Sequence, residues 1–139
     1  MESVAEALSP ELVAALAVDL DLERQLMQAY RMHAQTASSP RLRQAFEQGF
    51  TVKRRHESAL EGLTRNATHQ SQVLPQRLPV PRERLQWHYD REAALTFRYR
   101  EQARLSEDPN VVRFLGEMAT DQAQILSMLK GLYRDFSSA

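Results

Sequence analysis

The sequence predicts an all-α protein: one domain of four long helices, packed as two antiparallel hairpins. Three observations carry this expectation. Apolar residues recur in steps of three or four along most of the 139 residues, and no alternating stretch is long enough to compete as a strand. Ser9-Pro10, Ser39-Pro40 and Asp108-Pro109 each join a capping side chain to a proline at the first helical position, where its missing N–H costs nothing. Tight turns around Ser38-Ser39 and Glu107-Asp108 separate helix-length segments, and short turns make antiparallel hairpins.

The first helix is expected over roughly 10–37, with a seam of Leu12, Leu16, Leu20, Glu23, Met27, Tyr30, Ala34 and Ala37. The second, over roughly 40–67, carries Leu42, Phe46, Gly49, Lys53, His56, Leu60 and Leu63. The third, over roughly 82–105, starts near Pro81 without a good cap and carries Leu85, His88, Glu92, Leu95 and Tyr99. The fourth, over roughly 109–136, carries Val111, Phe114, Met118, Asp121, Ile125, Met128 and Leu132. Between the hairpins a crossover over 69–80 contains Pro75 and Pro79. A helix of about 27 residues is about 40 Å long, and a dozen extended residues reach about as far. The crossover is therefore long enough to run the full length of the bundle.

Composition excludes several chemistries. The chain has no cysteine, which removes disulfides, thiolate metal sites and thiol catalysis. Formal net charge is zero, with 18 Lys+Arg against 18 Asp+Glu, and argues against an obligate nucleic-acid binder. The N-terminus has no signal-peptide pattern, and the longest apolar run, Leu12 to Val18, is seven residues, so the expectation is a soluble, cytoplasmic protein with no membrane association. The zero conceals a division: net −4 over 1–39, +6 over 40–104 and −2 over 105–139. The basic run Arg41, Arg43, Lys53, Arg54 and Arg55 reads as a solvated face or a contact between subunits of a homodimer or other homo-oligomer. Only two of the 18 cations are lysines, Lys53 and Lys130. Lys130 suits a helix C-terminus; Lys53 falls on an apolar seam.

Ionisable residues on seams must be paired or metal-bound when buried. Each helix supplies at least one near its middle: Glu23; Lys53 and His56; His88 and Glu92; Asp121 with Gln124. The halves also repeat. Glu23, Tyr30, Ala34 and Pro40 match Glu92, Tyr99, Ala103 and Pro109 at an offset of 69, and past the turn an offset of 68 aligns Phe46, Lys53, His56 and Leu60 with Phe114, Asp121, Gln124 and Met128.

The Glu23-to-Tyr30 and Glu92-to-Tyr99 spacings resemble the first and third helices of ferritin-like, particularly rubrerythrin-like, proteins. The resemblance spans roughly Leu12 to Leu132 and implies a ferritin-like four-helix bundle with one long crossover. It also implies a dimetal site made by a Glu from each of two helices and a Glu-x-x-His from each of the others. Glu23 and Glu92 match the single carboxylates. Lys53-Arg-Arg-His56 stands for the first Glu-x-x-His with lysine in place of the carboxylate, and Asp121-Gln-Ala-Gln124 for the second with the histidine lost.

A cation at a ligand position repels metal: at an effective dielectric of about 20, two unit charges 4 Å apart interact by about 4 kcal/mol. The reading this favours is a degenerate, metal-free site without cofactor, in which Lys53 neutralises Glu23, Glu92 or Asp121 in a buried salt-bridge core, making a non-catalytic structural or partner-binding module. The alternative is a single iron or manganese on Glu23, His56, Glu92 and Asp121, serving a non-haem oxidoreductase that handles peroxide or dioxygen. A third reading, a DNA-associated stress protein, rests on the basic stretch together with the resemblance, since some ferritin-like proteins bind DNA. No catalytic residue is assigned. Gln124, His88, Tyr30 and Tyr99 are accessory: His88 reads as a satisfied core histidine, and the tyrosines as packing with hydroxyls bonded to carboxylates. His33 and His69 read as surface residues, and Trp87 as an interface anchor or a core edge. Gly49 and Gly116 each cost a helix about 1 kcal/mol unless close packing offsets it.

Overall fold

The computed structural model describes residues 8–64, 78 and 80–136. Four helices form: α1 (Pro10–Gln35), α2 (Pro40–Leu63), α3 (Pro81–Leu105) and α4 (Pro109–Phe136). No strand occurs among the described residues. The expected crossover over 69–80, save Leu78 and Val80, lies outside them, as do His69 and the expected end of the second helix at 65–67.

Local chemistry sets the helix ends. Ser9 Oγ accepts from the Leu12 N–H at 3.1 Å and Ser39 Oγ from the Leu42 N–H at 3.1 Å, each ahead of a proline. Asp108 Oδ1 accepts from Asn110 N–H at 2.8 Å and Val111 N–H at 3.4 Å. Such caps contribute about 1 kcal/mol each. Val80, ahead of α3, offers no side-chain cap. The first helix stops at Gln35, short of the expected 37. Thr36 turns its hydroxyl and its N–H back to the Met32 carbonyl, at 3.1 and 3.2 Å, and Ser39 must be extended ahead of Pro40.

The helices α1 and α2 pack as one hairpin and α3 and α4 as the other; the hairpins meet through α1 against α3 and α2 against α4. Across α1 and α3 the contacts run Asp19–Arg98, Glu23–Tyr99, Tyr30–Glu92 and His33–His88, so these helices are antiparallel. Arg41–Asp135, Lys53–Gln122 and Arg55–Asp121 show the same for α2 and α4. It follows that α2 and α3 run in the same direction, so the end of α2 and the start of α3 lie at opposite ends of the four-helix bundle.

The repeat holds a single offset. At 69 residues throughout, Leu16 pairs with Leu85, Glu23 with Glu92, Leu26 with Leu95, Tyr30 with Tyr99, Leu42 with Val111, Phe46 with Leu115, Lys53 with Gln122 and Leu60 with Leu129, and all sixteen are buried. The expected drop to 68 past the turn is wrong. Phe114-Leu115 and Met128-Leu129 are adjacent apolar pairs that permit either register; the structure buries Leu115 and Leu129 and leaves Phe114 and Met128 half-buried.

Gly49 is set by a close approach. A Cβ there would lie 2.6 Å from Tyr30 Cε1 and 2.7 Å from Cζ, whereas one at Gly116 would meet nothing within 4 Å. Gly49→Ala is therefore expected to lower stability by about 1–3 kcal/mol despite the better helix propensity of alanine. Gly116→Ala is expected to raise it by about 0.5–1 kcal/mol. Urea unfolding of the two variants checks both signs.

Candidate functional site

Four helices each place one polar side chain at the middle of the core. Glu23 (α1), Lys53 (α2), Glu92 (α3) and Gln122 (α4) are all fully buried. The Lys53 ammonium is at their centre. Its Nζ straddles the Glu23 carboxylate, 3.2 Å from Oε1 and 3.1 Å from Oε2, and donates to Glu92 Oε1 at 2.7 Å and Gln122 Oε1 at 2.5 Å. Gln122 works in both senses. Its Oε1 accepts from the ammonium while its Nε2 donates to Glu92 Oε1 at 2.9 Å and to the Glu92 carbonyl at 3.1 Å.

The tyrosines cross over between halves. Tyr30 donates its hydroxyl to Glu92 Oε2 at 2.7 Å, and Tyr99 donates to Glu23 Oε1 at 2.7 Å. The offset of 69 interchanges these two bonds. His56 extends the cluster outward, with Nδ1 3.0 Å from Glu23 Oε1 and Nε2 2.9 Å from Asp121 Oδ2. Both ring nitrogens face carboxylate oxygens, so both contacts are hydrogen bonds when each nitrogen carries a proton. Asp121 also accepts from Arg55 at 3.2 Å and ends the chain of contacts at the surface.

The fourth helix requires two corrections. Asp121 does not reach Lys53; it is a rim residue bonded to His56, with its side chain 31% exposed. Gln124 is exposed and takes no part in the cluster. The inward polar residue is Gln122, the counterpart of Lys53 at the offset of 69, and the counterpart of His56 is the apolar Ile125. The sequence contained the signal in the constant offset, but aligning Phe46 with Phe114 displaced it by one residue.

Comparison of the chain with protein-family profiles, curated proteins and solved structures returns no match in any of the three. The site is read on its own geometry. The ferritin-like resemblance implies metal, and the donor set does not fit it. The inward-facing positions at this level are Glu23, Lys53, His56, Glu92, Gln122 and Ile125, and the inner carboxylate oxygens already face the ammonium, two phenols, an amide and an imidazole. Among the described residues no group of three or more His, Asp or Glu side chains has a geometry that would hold a metal ion.

Two further polar groups flank the cluster; of their members the sequence marked only His88, as a core histidine, and that is where it lies. His33, expected at the surface, is buried with its Nδ1 2.8 Å from His88 Nε2. His88 stacks on Tyr30 with centroids 4.0 Å apart, and half-buried Trp87 packs edge-on to it. Burial, then His33, Arg91 and Lys53, holds the His88 imidazole well below the usual histidine range. At the other end Asp19 is buried and accepts from Arg98 Nε at 2.6 Å, and Arg98 also bonds the Ala15 carbonyl at 3.2 Å. Burial raises the Asp19 carboxyl, and Arg98 offsets this only in part.

The titration directions within the cluster follow from desolvation against pairing. Burial pushes Glu23 upward, but Lys53, His56 and Tyr99 outweigh it, so the carboxyl is held below its ordinary 4.5. Burial pushes Lys53 downward, but Glu92 and Glu23 outweigh it, so the ammonium is held above 10.5. Burial and then the adjacent carboxylates push the Tyr30 and Tyr99 phenols well above 10.0. The stability contributed by Glu23 is therefore present above 4.5 and lost as pH falls through its lower folded value. That of Lys53 is present below 10.5 and lost as pH rises through its higher folded value. Asp19 has the opposite sign to Glu23, because its penalty is relieved on acidification. Below 6.5 the unfolded chain protonates His88 while the buried imidazole resists it, so urea midpoints are expected to be flat between about pH 7 and 10 and to fall on both sides. Tyr30 and Tyr99 should give no phenolate absorbance before alkaline unfolding.

Removing the cation leaves two carboxylates without their shared partner. Lys53→Met is expected to cost about 3–5 kcal/mol, and Lys53→Met with Glu23→Gln and Glu92→Gln to recover most of the loss. Denaturant unfolding of the single and triple variants measures it; equal losses would show that the carboxylates do not depend on the ammonium.

Proposed function

We propose that the protein is a non-catalytic helical module on the ferritin-like plan, with a lysine ammonium standing where a bridging metal charge would be. In this reading it serves as a structural or partner-binding scaffold. The observation that carries the proposal is the seat of Lys53, fully buried at mid-bundle and bonded to Glu23, Glu92 and Gln122 from the three other helices. Two features support the ferritin-like part. The parallel course of α2 and α3 requires one long connection. The offset of 69 also aligns Lys53-x-x-His56 with Gln122-x-x-Ile125, at the places where that plan carries Glu-x-x-His.

The physical basis is charge replacement. Glu23 and Glu92 share one low-polarity site and would repel each other without a cation between them. A compact ammonium with three donors satisfies both carboxylates and the amide at once, which a planar guanidinium fork does not match. Among the described residues the cluster's side chains are buried except that of Asp121, and contacts lead outward through His56 to Asp121.

Metal analysis of protein purified without chelator is expected to find no stoichiometric iron or manganese. Stoichiometric metal that disappears in Glu92→Ala would overturn the proposal in favour of an oxidoreductase. Lys53→Glu combined with Gln122→Glu and Ile125→His is expected to create divalent-metal affinity, read as a metal-dependent rise in melting temperature. No such rise would remove the correspondence of these positions to ligands.

A further inference from the structure

The histidine pair lies where α1 ends and α3 begins, one helical turn from Glu92. Both imidazoles are buried, with His33 Nδ1 2.8 Å from His88 Nε2. From α1, His88 meets His33 and the Tyr30 ring, stacked with centroids 4.0 Å apart. From α2 it meets the Phe46 ring, centroids 5.4 Å apart, and feels the Lys53 ammonium. On α3 itself Trp87 stands edge-on at 5.0 Å, and the Arg91 guanidinium lies over the Trp87 ring at 3.9 Å. The charges that act on His88 are thus His33, Arg91 and Lys53; none is a carboxylate, and α4 supplies none.

A neutral pair suits this seat and a charged one does not. The contact between the facing nitrogens is a hydrogen bond only while one of them is bare. With both rings protonated, N–H would face N–H and two cations would share one desolvated site. His88 Nδ1 is also buried and has no hydrogen-bond partner among the described residues, so a proton there gains nothing from the closed bundle. Protonation of His88 therefore favours any conformation in which the ring reaches water.

The nearest such conformation is local. Val80 gives α3 no side-chain cap, whereas the other three helices start on a capping oxygen. Ahead of Glu92, α3 is tied to α1 and its C-cap by the histidine pair and by Arg84, which donates to the Thr36 carbonyl at 3.3 Å. Beyond that point Tyr30–Glu92, Tyr99–Glu23 and Arg98–Asp19 join the same two helices.

We propose that His33 and His88 form an acid-released latch: protonation undocks the first three turns of α3 from α1, uncovering Leu85, Phe46 and the Tyr30 ring, while the Lys53 cluster keeps the rest of the bundle closed. The two devices titrate apart. An opened His88 takes its proton below 6.5, whereas Glu23 keeps its charge to below 4.5. The latch does not depend on what the Lys53 ammonium replaced.

Hydrogen exchange of the full chain between pH 7.5 and 5, read by mass spectrometry and corrected for intrinsic rates, tests the proposal. Protection over 81–91 is expected to fall by up to about tenfold for each pH unit below 6.5 from His88 alone, while protection over 118–132 holds. Emission from Trp87, the chain's one tryptophan, should move to the red over the same range. His88→Phe keeps the ring and His88→Gln keeps a hydrogen-bonding side chain; neither titrates, and each should reduce the pH slope over 81–91 by about tenfold per unit. Protection over 81–91 that is indifferent to pH would overturn the proposal. So would loss of protection over 81–91 and 118–132 together, or a pH slope that both variants leave unchanged.

Discussion

The desolvation of one ammonium organises this protein. Taking Lys53 out of water costs several kcal/mol, and close donors-to-acceptors geometry on every side is what offsets it. The acceptors come from three different helices, Glu23 on α1, Glu92 on α3 and Gln122 on α4, so the four helices are held at a common level around one atom. Buried pairs of this kind contribute little net stability against an apolar core of equal volume. Their effect is on specificity: slipping any one helix by a turn would strand a charge. The phenols of Tyr30 and Tyr99 complete the carboxylates' shells, and Gly49 leaves the space that lets the Tyr30 ring approach.

The internal symmetry is close, and its breaks fall where charge demands them. Glu23 and Glu92, and Tyr30 and Tyr99, are exchanged by the repeat without change of role. The next pair is not, because lysine at both 53 and 122 would bring two ammoniums together, and an apolar partner would leave donors unmet. Glutamine at 122 adds no charge and supplies both an acceptor and a donor. His56 and Ile125 break the symmetry again, giving the cluster a single polar exit through Asp121 and Arg55. The flanks follow the same relation. His33 and His88 correspond to Gln102 and Asp19, so a polar pair sits between α1 and α3 on either side of the central cluster.

Much of this was legible in the chain. Proline after serine or aspartate marked three of the four helix starts, since a cap and a fixed φ act locally. Glu23, Lys53, His56 and Glu92 stood out as ionisable residues on otherwise apolar stripes, and the structure brings all four together. The misreadings of the fourth helix share a cause. Where two adjacent residues are both apolar, as at Phe114-Leu115 and Met128-Leu129, a helical stripe can be drawn through either. Choosing Phe114 and Met128 drew the fourth helix through Asp121 and Gln124 instead of Gln122. His33 and Asp19 were passed over because a helix in a bundle faces two neighbours, and the sequence does not say how wide its buried face is.

The sequence by itself determined the four helices, their hairpins and the inward placing of Glu23, Lys53, His56 and Glu92, because capping, proline geometry and apolar periodicity are properties of short segments. Only the tertiary structure decided which oxygens share the ammonium, that its third partner is an amide, and that Asp121 stands at the rim. Those outcomes depend on the rotation of each helix about its axis. That rotation is set by side-chain packing between helices, and no single segment encodes it.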